Sequence, residues 1–300
     1  MPTRVPAKSE LTILQTARLQ KLPWLIHGFS TRPGGCSRAY GGDALNLGFT
    51  ETDTKAAVER NRAVFFAELR TGGRHPWPLV TLRQIHSDVI HRVAALPDDP
   101  LAGDGLITNA PGLLLAIQTA DCLPVIVVDP KKRAVGVFHA GWRGTVKRIV
   151  EKGVGEMHRY FGSRPGDLEA AIGPGVHNCC YTVGEDVRQN FESQFTYASA
   201  LFHEVKESDP VREKYPMLFL TARAPGHSNL PVKIFLDLVE ANRRQLLDAG
   251  IPRKKIEASP LCTACDTDLL FSHRAEKGAA GRMMGVAGIR LESARSKRSV

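Results

Sequence analysis

Three residues have the types and the spacing to do chemistry together. His86, Cys122 and His139 lie 36 and 17 residues apart, too far for a zinc finger, whose paired ligands sit a few residues apart on one turn. Each belongs instead to the end of a different predicted strand. A two-His, one-Cys set with no fourth protein ligand leaves a coordination position open, which is the pattern of a catalytic rather than a structural zinc. The competing reading of Cys122 is a small core residue, because a free Cys in a Val-rich strand packs as a hydrophobe.

The elements that must position these ligands can be read from the hydrophobic runs. Ala120-Asp-Cys-Leu-Pro-Val-Ile-Val-Val-Asp129 and Ala134-Val-Gly-Val-Phe-His-Ala-Gly-Trp-Arg-Gly-Thr145 both read as strands of a covered sheet. Cys122 opens the first and His139 closes the second. An antiparallel hairpin turning at Asp129-Pro-Lys-Lys-Arg133 therefore predicts both ligands at one end of the sheet. Beyond His139, Gly141, Arg143 and Gly144 lead into a helical pattern near Thr145, where backbone N–H groups and a guanidinium would hold an anion.

Elsewhere, Trp24 to Ser30 reads as a strand running into a Gly-rich loop, Thr31-Arg-Pro-Gly-Gly-Cys-Ser37, with a second Gly pair at Gly41-Gly42. Such loops allow a ligand close to the backbone or simply make a surface turn. No Gly-Lys-Ser/Thr follows, which excludes a nucleotide-hydrolase phosphate loop. Periodicity and caps predict helices over 54–70, capped by Thr52 or Asp53, and over 145–160, 184–195 and 233–249. Strands are expected over 79–86, with Gln84 and His86 on one side, and over 103–108, 113–119, 168–172 and 217–220.

The chain has 300 residues, 43% hydrophobic and 24% charged, enough for a sizeable core. No long linker or repeat breaks it, so one domain is expected over 21–290, with an N-terminal extension at 1–20 and a basic tail at 291–300. The start lacks an apolar signal segment and no apolar run reaches about 18 residues, so a cytoplasmic protein is the default. The six Cys then read as thiols or ligands. A net charge of +9 suits an anionic partner, but the cations are scattered. No nucleic-acid motif accompanies the charge, and a phosphorylated or phosphate-consuming small substrate explains the local Arg residues as well; neither nucleic acid nor membrane is expected as a partner.

Several longer motifs carry a specific resemblance. His27-Gly-Phe-Ser-Thr-Arg-Pro-Gly-Gly35, Asn46-Leu-Gly48, Gln84-Ile-His-Ser87, Asp104-Gly105, Thr119-Ala-Asp-Cys-Leu-Pro-Val125 and His139-Ala-Gly-Trp-Arg-Gly144 run in order along the chain. Ile172-Gly-Pro-Gly175 up to Cys180-Tyr181, and Phe271-Ser-His-Arg274 through Gly281-Arg282 to Gly285, complete the set. Together they resemble the YfiH-like family, also called the laccase-domain or polyphenol oxidase family, the peptidoglycan editing factor group and a family of purine nucleoside phosphorylases.

The resemblance implies an α+β fold, a single-domain layered α-β-β-α sandwich like that of a toxin-like cysteine hydrolase. It implies zinc on the residues matching His86, Cys122 and His139, the three that chemistry had already singled out. The implied activity is phosphorolysis of adenosine, inosine and methylthioadenosine to base and ribose 1-phosphate, with deamination of adenosine, by a monomer or weak homo-oligomer.

In that frame Arg143 and Arg32 are candidates for phosphate, Asn46 and His177 for substrate, Gln84 for a base or ribose contact, and Asp121 for acid/base or support of the metal ligands. His273 and the Cys179-Cys180 pair are weaker candidates. The oxidase name has less support, because none of the ten His lies two residues from another, as a multicopper cluster requires. A single copper in the same His2Cys set remains an alternative cofactor with slow phenol oxidation. An amide hydrolase with Cys122 as nucleophile, paired with His139 or His86, is the other alternative. Cys262-Thr-Ala-Cys265 lacks the upstream His-x-Glu of a nucleobase deaminase and reads as structural, with a second zinc site as the lesser alternative.

Overall fold

Leu123–Asp129 and Ala134–Ala140 are buried at every residue and pair antiparallel, with Pro124 opposite His139 and Asp129 opposite Ala134. This is the hairpin that the two Val-rich runs predict. The computed structural model describes residues 10–71, 77–206 and 232–291. Within the span expected as one domain, contacts divide into two units, Met1–Val176 with Leu238–Val300, and His177–Asp237.

The larger unit is built on two sheets. One has five strands in the order Ile13–Leu14, Leu25–Ser30, Met283–Ile289, Leu114–Thr119 and Leu79–Val80. The other has six, in the order Ile256–Ala258, Glu169–Ile172, Leu123–Asp129, Ala134–Ala140, Gly105–Thr108 and Ile90–Arg92. One core cluster joins them: Phe29, Leu115, Ile117 and Ala287 of the first sheet pack with Leu106, Ile126, Val128, Val135 and Val137 of the second. Strand alternation decides this, since 126, 128, 135 and 137 share the inward parity.

Helix α1 (Lys55–Glu68) covers the outer face of the five-stranded sheet, with Phe65 packed against Ile26, Leu114 and Val286. Its cap is Thr54, which accepts the Ala57 N–H, and not Thr52 or Asp53 as expected, because the helix begins one residue later, at Lys55. The helix expected from 145 starts earlier and is broken: α2 spans Trp142–Val146, Arg148 adopts φ +64°, and α3 spans Ile149–Phe161. A Gly153 side chain on α3 would run into the Phe138 ring, which places α3 on the outer face of the six-stranded sheet. The layers are therefore helix, sheet, sheet, helix.

Three further expectations change. The stretch 79–86 is not one strand, but two short ones, Leu79–Val80 and Leu82–Arg83, followed by a loop in which His86 has φ +54°. The Asp104 carboxylate draws off the N–H groups that would have continued the ladder. The extension at 1–20 is not peripheral where it is described: Ile13–Leu14 pairs with Phe29–Ser30, and Leu19 is buried in the core. Hydrophobic burial outweighs the polar character of its neighbours. In the Gly-rich loop, a Gly35 side chain would collide with the Ala44 carbonyl, so these glycines serve a close approach of two backbone segments.

The unit 177–237 has a three-stranded antiparallel sheet of Thr182–Val183, Val232–Leu236 and Phe202–Lys206, with helix α4 at Glu185–Gln194. Phe191 of α4 is fully buried and meets the Phe202 ring edge-on, centroids 5.7 Å apart. The helix expected over 233–249 splits here. Ile234 and Leu236 are buried in alternation with Lys233, a period of two, and the chain turns helical as α5 only at Leu238–Asp248. The strand expected at 217–220 lies outside the described residues.

Candidate metal centre and active site

Strand parity brings the ligands together. Cys122 directly precedes its strand with the parity of Ile126 and Val128, and His139 shares that of Val135 and Val137, so both aim between the sheets at one end. His86 arrives from the loop after Leu82–Arg83. The ligand atoms of His86, Cys122 and His139 all lie within 4.8 Å of one another. The Cys122 Sγ is 4.0 Å from His86 Nε2, and the two imidazoles meet edge to face at 4.9 Å. His139 is buried, Cys122 half-buried and His86 exposed, so the cluster opens to solvent on the His86 side.

This donor set fits a zinc or copper ion. Tetrahedral ligands at zinc bond lengths sit roughly 3.3–3.7 Å apart, so only a modest inward movement would be needed. Backbone accommodation points the same way: a side chain at Gly141 would lie 2.9 Å from Cys122 Sγ and 3.2 Å from the His86 ring. Only glycine lets the chain turn from the His139 strand into α2 without filling the centre.

Asp104 organises the ligands from behind. It is fully buried, and its carboxylate accepts from His139 Nδ1 at 2.8 Å, from the His86 N–H at 3.1 Å, and from the Ser87 N–H and hydroxyl at 2.6 and 2.7 Å. With Nδ1 held by Asp104, His139 presents Nε2 as its free donor. Burial would raise the Asp104 carboxyl, but the bonds from His139 and then Ser87 outweigh it and bring it to about 2. Burial would likewise raise the Cys122 thiol, yet His139 and then His86 bring it down to about 6. His139, lowered by burial alone, is raised to about 9 by Cys122 and Asp104. Without metal, the pair is thus a thiolate beside an imidazolium.

The other candidates differ in what their side chains do. Arg143 is exposed and stacks on Trp142, its guanidinium 4.5 Å from the ring, two residues beyond Gly141. Gln84 bonds both ways to the Gln118 backbone, Nε2 to O at 2.8 Å and Oε1 from N at 2.7 Å. Asn46 is fully buried and joins Gly48, Asp53 and the Arg282 N–H. Arg32 donates to the Thr267 and Tyr40 carbonyls and pairs with Glu276 at 3.0 Å. Asp121 accepts from Thr263, Ser272 and Arg274. His177 lies in the unit 177–237, where its carbonyl accepts the Cys180 and Tyr181 N–H groups. Cys262 opens a tight turn whose carbonyl accepts the Cys265 N–H at 3.2 Å.

Sequence reasoning missed Asp104 as a functional residue, although it stood in a quoted motif. A buried-strand Asp beside Gly105 was the available signal. Thr263, Ser272 and Gln118 carried no signal of their own.

Residues 26–290 match the family described as multi-copper polyphenol oxidoreductase laccase. The chain belongs to this YfiH-like laccase-domain family. Laccase-domain relatives carry more than one name. A Bacillus subtilis (strain 168) protein named purine nucleoside phosphorylase YlmD is 33% identical over 275 residues, 89% of each chain. A protein named adenosine deaminase RL5, from an unknown prokaryotic organism, is 33% identical over 205 residues, 65% of this chain and 69% of its own. The crystal structure of Bacillus licheniformis hypothetical protein YfiH aligns with a TM-score of 0.78 at 34% identity, covering 96% of this chain and 98% of that one. Among the described residues no helix is long and apolar enough to cross a membrane.

Proposed function

We propose that this laccase-domain protein is a zinc-dependent enzyme acting on purine nucleosides. It transfers the ribosyl group of adenosine, inosine or methylthioadenosine to phosphate, releasing the free base and a ribose 1-phosphate. It also exchanges the adenosine amine for water, releasing ammonia and inosine. The observation that carries the reading is the open His86, Cys122 and His139 cluster braced by Asp104, a catalytic rather than a structural donor set. The phosphorylase and deaminase names of the relatives support the substrate class.

When bound by these three residues, zinc would supply Lewis-acid chemistry at the open side of the cluster. Asp104 keeps His139 in one tautomer and ties the His86 loop to it. Arg143 is the phosphate ligand in this reading. Its guanidinium is exposed, stacked on Trp142 and paired with no carboxylate among the described residues, so its donors are open to an anion.

The test is product analysis of adenosine with and without phosphate, using metal-analysed protein beside Cys122→Ala and Arg143→Ala. Adenine and ribose 1-phosphate should form only with phosphate and should be lost with zinc in Cys122→Ala. Arg143→Ala should raise the phosphate KM while leaving deamination intact. No turnover of any of the three nucleosides by zinc-loaded protein would sink the proposal.

A second reading rests on the metal-free pair. A Cys122 thiolate beside a His139 imidazolium held by Asp104 has the arrangement of a cysteine amide hydrolase. Zinc separates the two, because a ligated sulfur is a poor nucleophile: amidase activity should rise on chelation and nucleoside turnover should fall. Copper-dependent phenol oxidation, the activity the family description suggests, is a third outcome of loading the same site with copper.

A further inference from the structure

The site chemistry leaves two charged residues unexplained, the buried Asp121 and the partly buried Arg32. We propose that Asp121, assisted by Arg32, is a positioning residue that fastens the segment 263–278 to the start of the strand that Cys122 directly precedes, and not a group that exchanges protons with substrate.

The Asp121 carboxylate is directed wholly into that segment. Thr263 Oγ1 and Ser272 Oγ donate to Oδ1 at 2.6 and 2.7 Å, and the Arg274 N–H donates to Oδ2 at 2.7 Å. Its own carbonyl accepts the Val176 N–H at 2.8 Å, tying in the Gly173-Pro-Gly175 turn. Three donors on a carboxylate that is only 8% exposed leave little room for a substrate proton. The residue also holds φ +91°, a left-handed conformation that costs a non-Gly residue free energy unless its surroundings enforce it. That backbone turn aims the next residue, Cys122, into the metal cluster.

Arg32 fastens the same segment from the other side. Its N–H bonds the Leu269 carbonyl, and its guanidinium bonds the Thr267 carbonyl, pairs with Glu276 and lies over the Phe271 ring at 5.0 Å. Glu276 in turn accepts the Ser272 N–H. Two opposite charges, 89 residues apart in sequence, therefore pin one loop. The exposed His273 and Arg274 ride on it, one hydrogen bond from the residue before Cys122.

Hydrogen exchange and metal affinity test this on the zinc-loaded full chain, and neither readout depends on the nucleoside reading; only the kinetic arm rests on it. Asp121→Gly keeps the left-handed backbone and deletes the carboxylate. Asp121→Asn tolerates the same backbone and loses the acceptor for Arg274. Amides of 271–276 should exchange faster by about tenfold or more in both, the scale of one lost charge-assisted hydrogen bond. Zinc should still bind at the His86, Cys122 and His139 cluster, and KM for adenosine should rise with kcat changed by less than about threefold, because the segment is displaced while the reacting groups stay.

Thr263→Val with Ser272→Ala removes two donors from the opposite side and should loosen the same amides, which keeps the test open should Asp121→Gly fail to fold. Unchanged exchange in both Asp121→Asn and the double variant would overturn the proposal. So would wild-type exchange in Asp121→Asn with kcat lost and one limb of the pH–rate profile gone, which would make Asp121 the proton-transfer group. If the wild type turns over no nucleoside, the functional reading fails while exchange and zinc affinity still decide this one.

Discussion

Asp104 Oδ1 lies 2.8 Å from His139 Nδ1 and 3.1 Å from the backbone nitrogen of His86, so one buried carboxylate orients two candidate ligands that are 53 residues apart. Replacing Asp104 by Asn removes the charge from this contact and mismatches the donors of the 85–87 loop. Zinc affinity, measured by competition with a chromophoric chelator, should fall by about 10- to 100-fold, as it does when such supporting contacts are lost. An unchanged affinity would show that the ligands hold their places without Asp104.

The metal-free thiol gives a second expectation. Cys122 is brought down to about 6 by His139 and His86 against the effect of burial. Alkylation of Cys122 in chelator-treated protein, followed on its own peptide by mass spectrometry, should be half-maximal near pH 6. Cys36 is exposed and provides an internal comparison. Zinc should protect Cys122 because the ligated sulfur no longer reacts.

Acid stability follows from His27. It is 1% exposed in Leu25–Ser30, burial pushes it from 6.5 to about 4, and its Nε2 faces the Thr16 N–H at 3.3 Å. Below pH 6.5 the unfolded chain binds a proton that the folded chain refuses, so stability falls as pH falls from about 6.5 to 4. The loss at the lower limit is about 3 kcal/mol. Urea unfolding of His27→Gln across this window should lose most of that slope.

Gln84 provides a structural control. Its amide is bonded at both ends to the Gln118 backbone, which argues for a brace rather than a base. Gln84→Ala should lower the unfolding free energy by about 1–3 kcal/mol, since it strands two backbone groups. A pH–rate profile of unchanged shape would accompany that loss. Disappearance of a limb would restore Gln84 as a proton acceptor.

Much of the layout was legible because burial writes itself into composition. The two Val-rich runs could only be covered strands, and the Asp129 to Arg133 turn could only bring Cys122 and His139 to one end. The polar run before α1 announced its start to within a residue or two through capping chemistry that is local, although Thr54 and not Thr52 or Asp53 is the cap. Where local preference met a distant partner it lost. The run 79–86 alternates like a strand, yet Asp104, some 20 residues on, takes its N–H groups and turns His86 left-handed. The run 233–249 has the caps of a single helix, yet its first residues pair in a sheet with Thr182–Val183 and Phe202–Lys206.

By itself, then, the sequence determined the ligand chemistry and the hairpin, because side-chain type sets metal preference and strand parity sets which residues share a face. Only the tertiary structure decided which polar side chains are engaged by partners and which keep open hydrogen-bonding capacity. Arg32, Asn46, Gln84 and Asp121 all read as site residues from their types, and all four are engaged by backbone or side-chain partners from remote segments. A polar side chain acts on substrate only if its hydrogen-bonding capacity is left open, and that depends on what the fold brings against it from far along the chain.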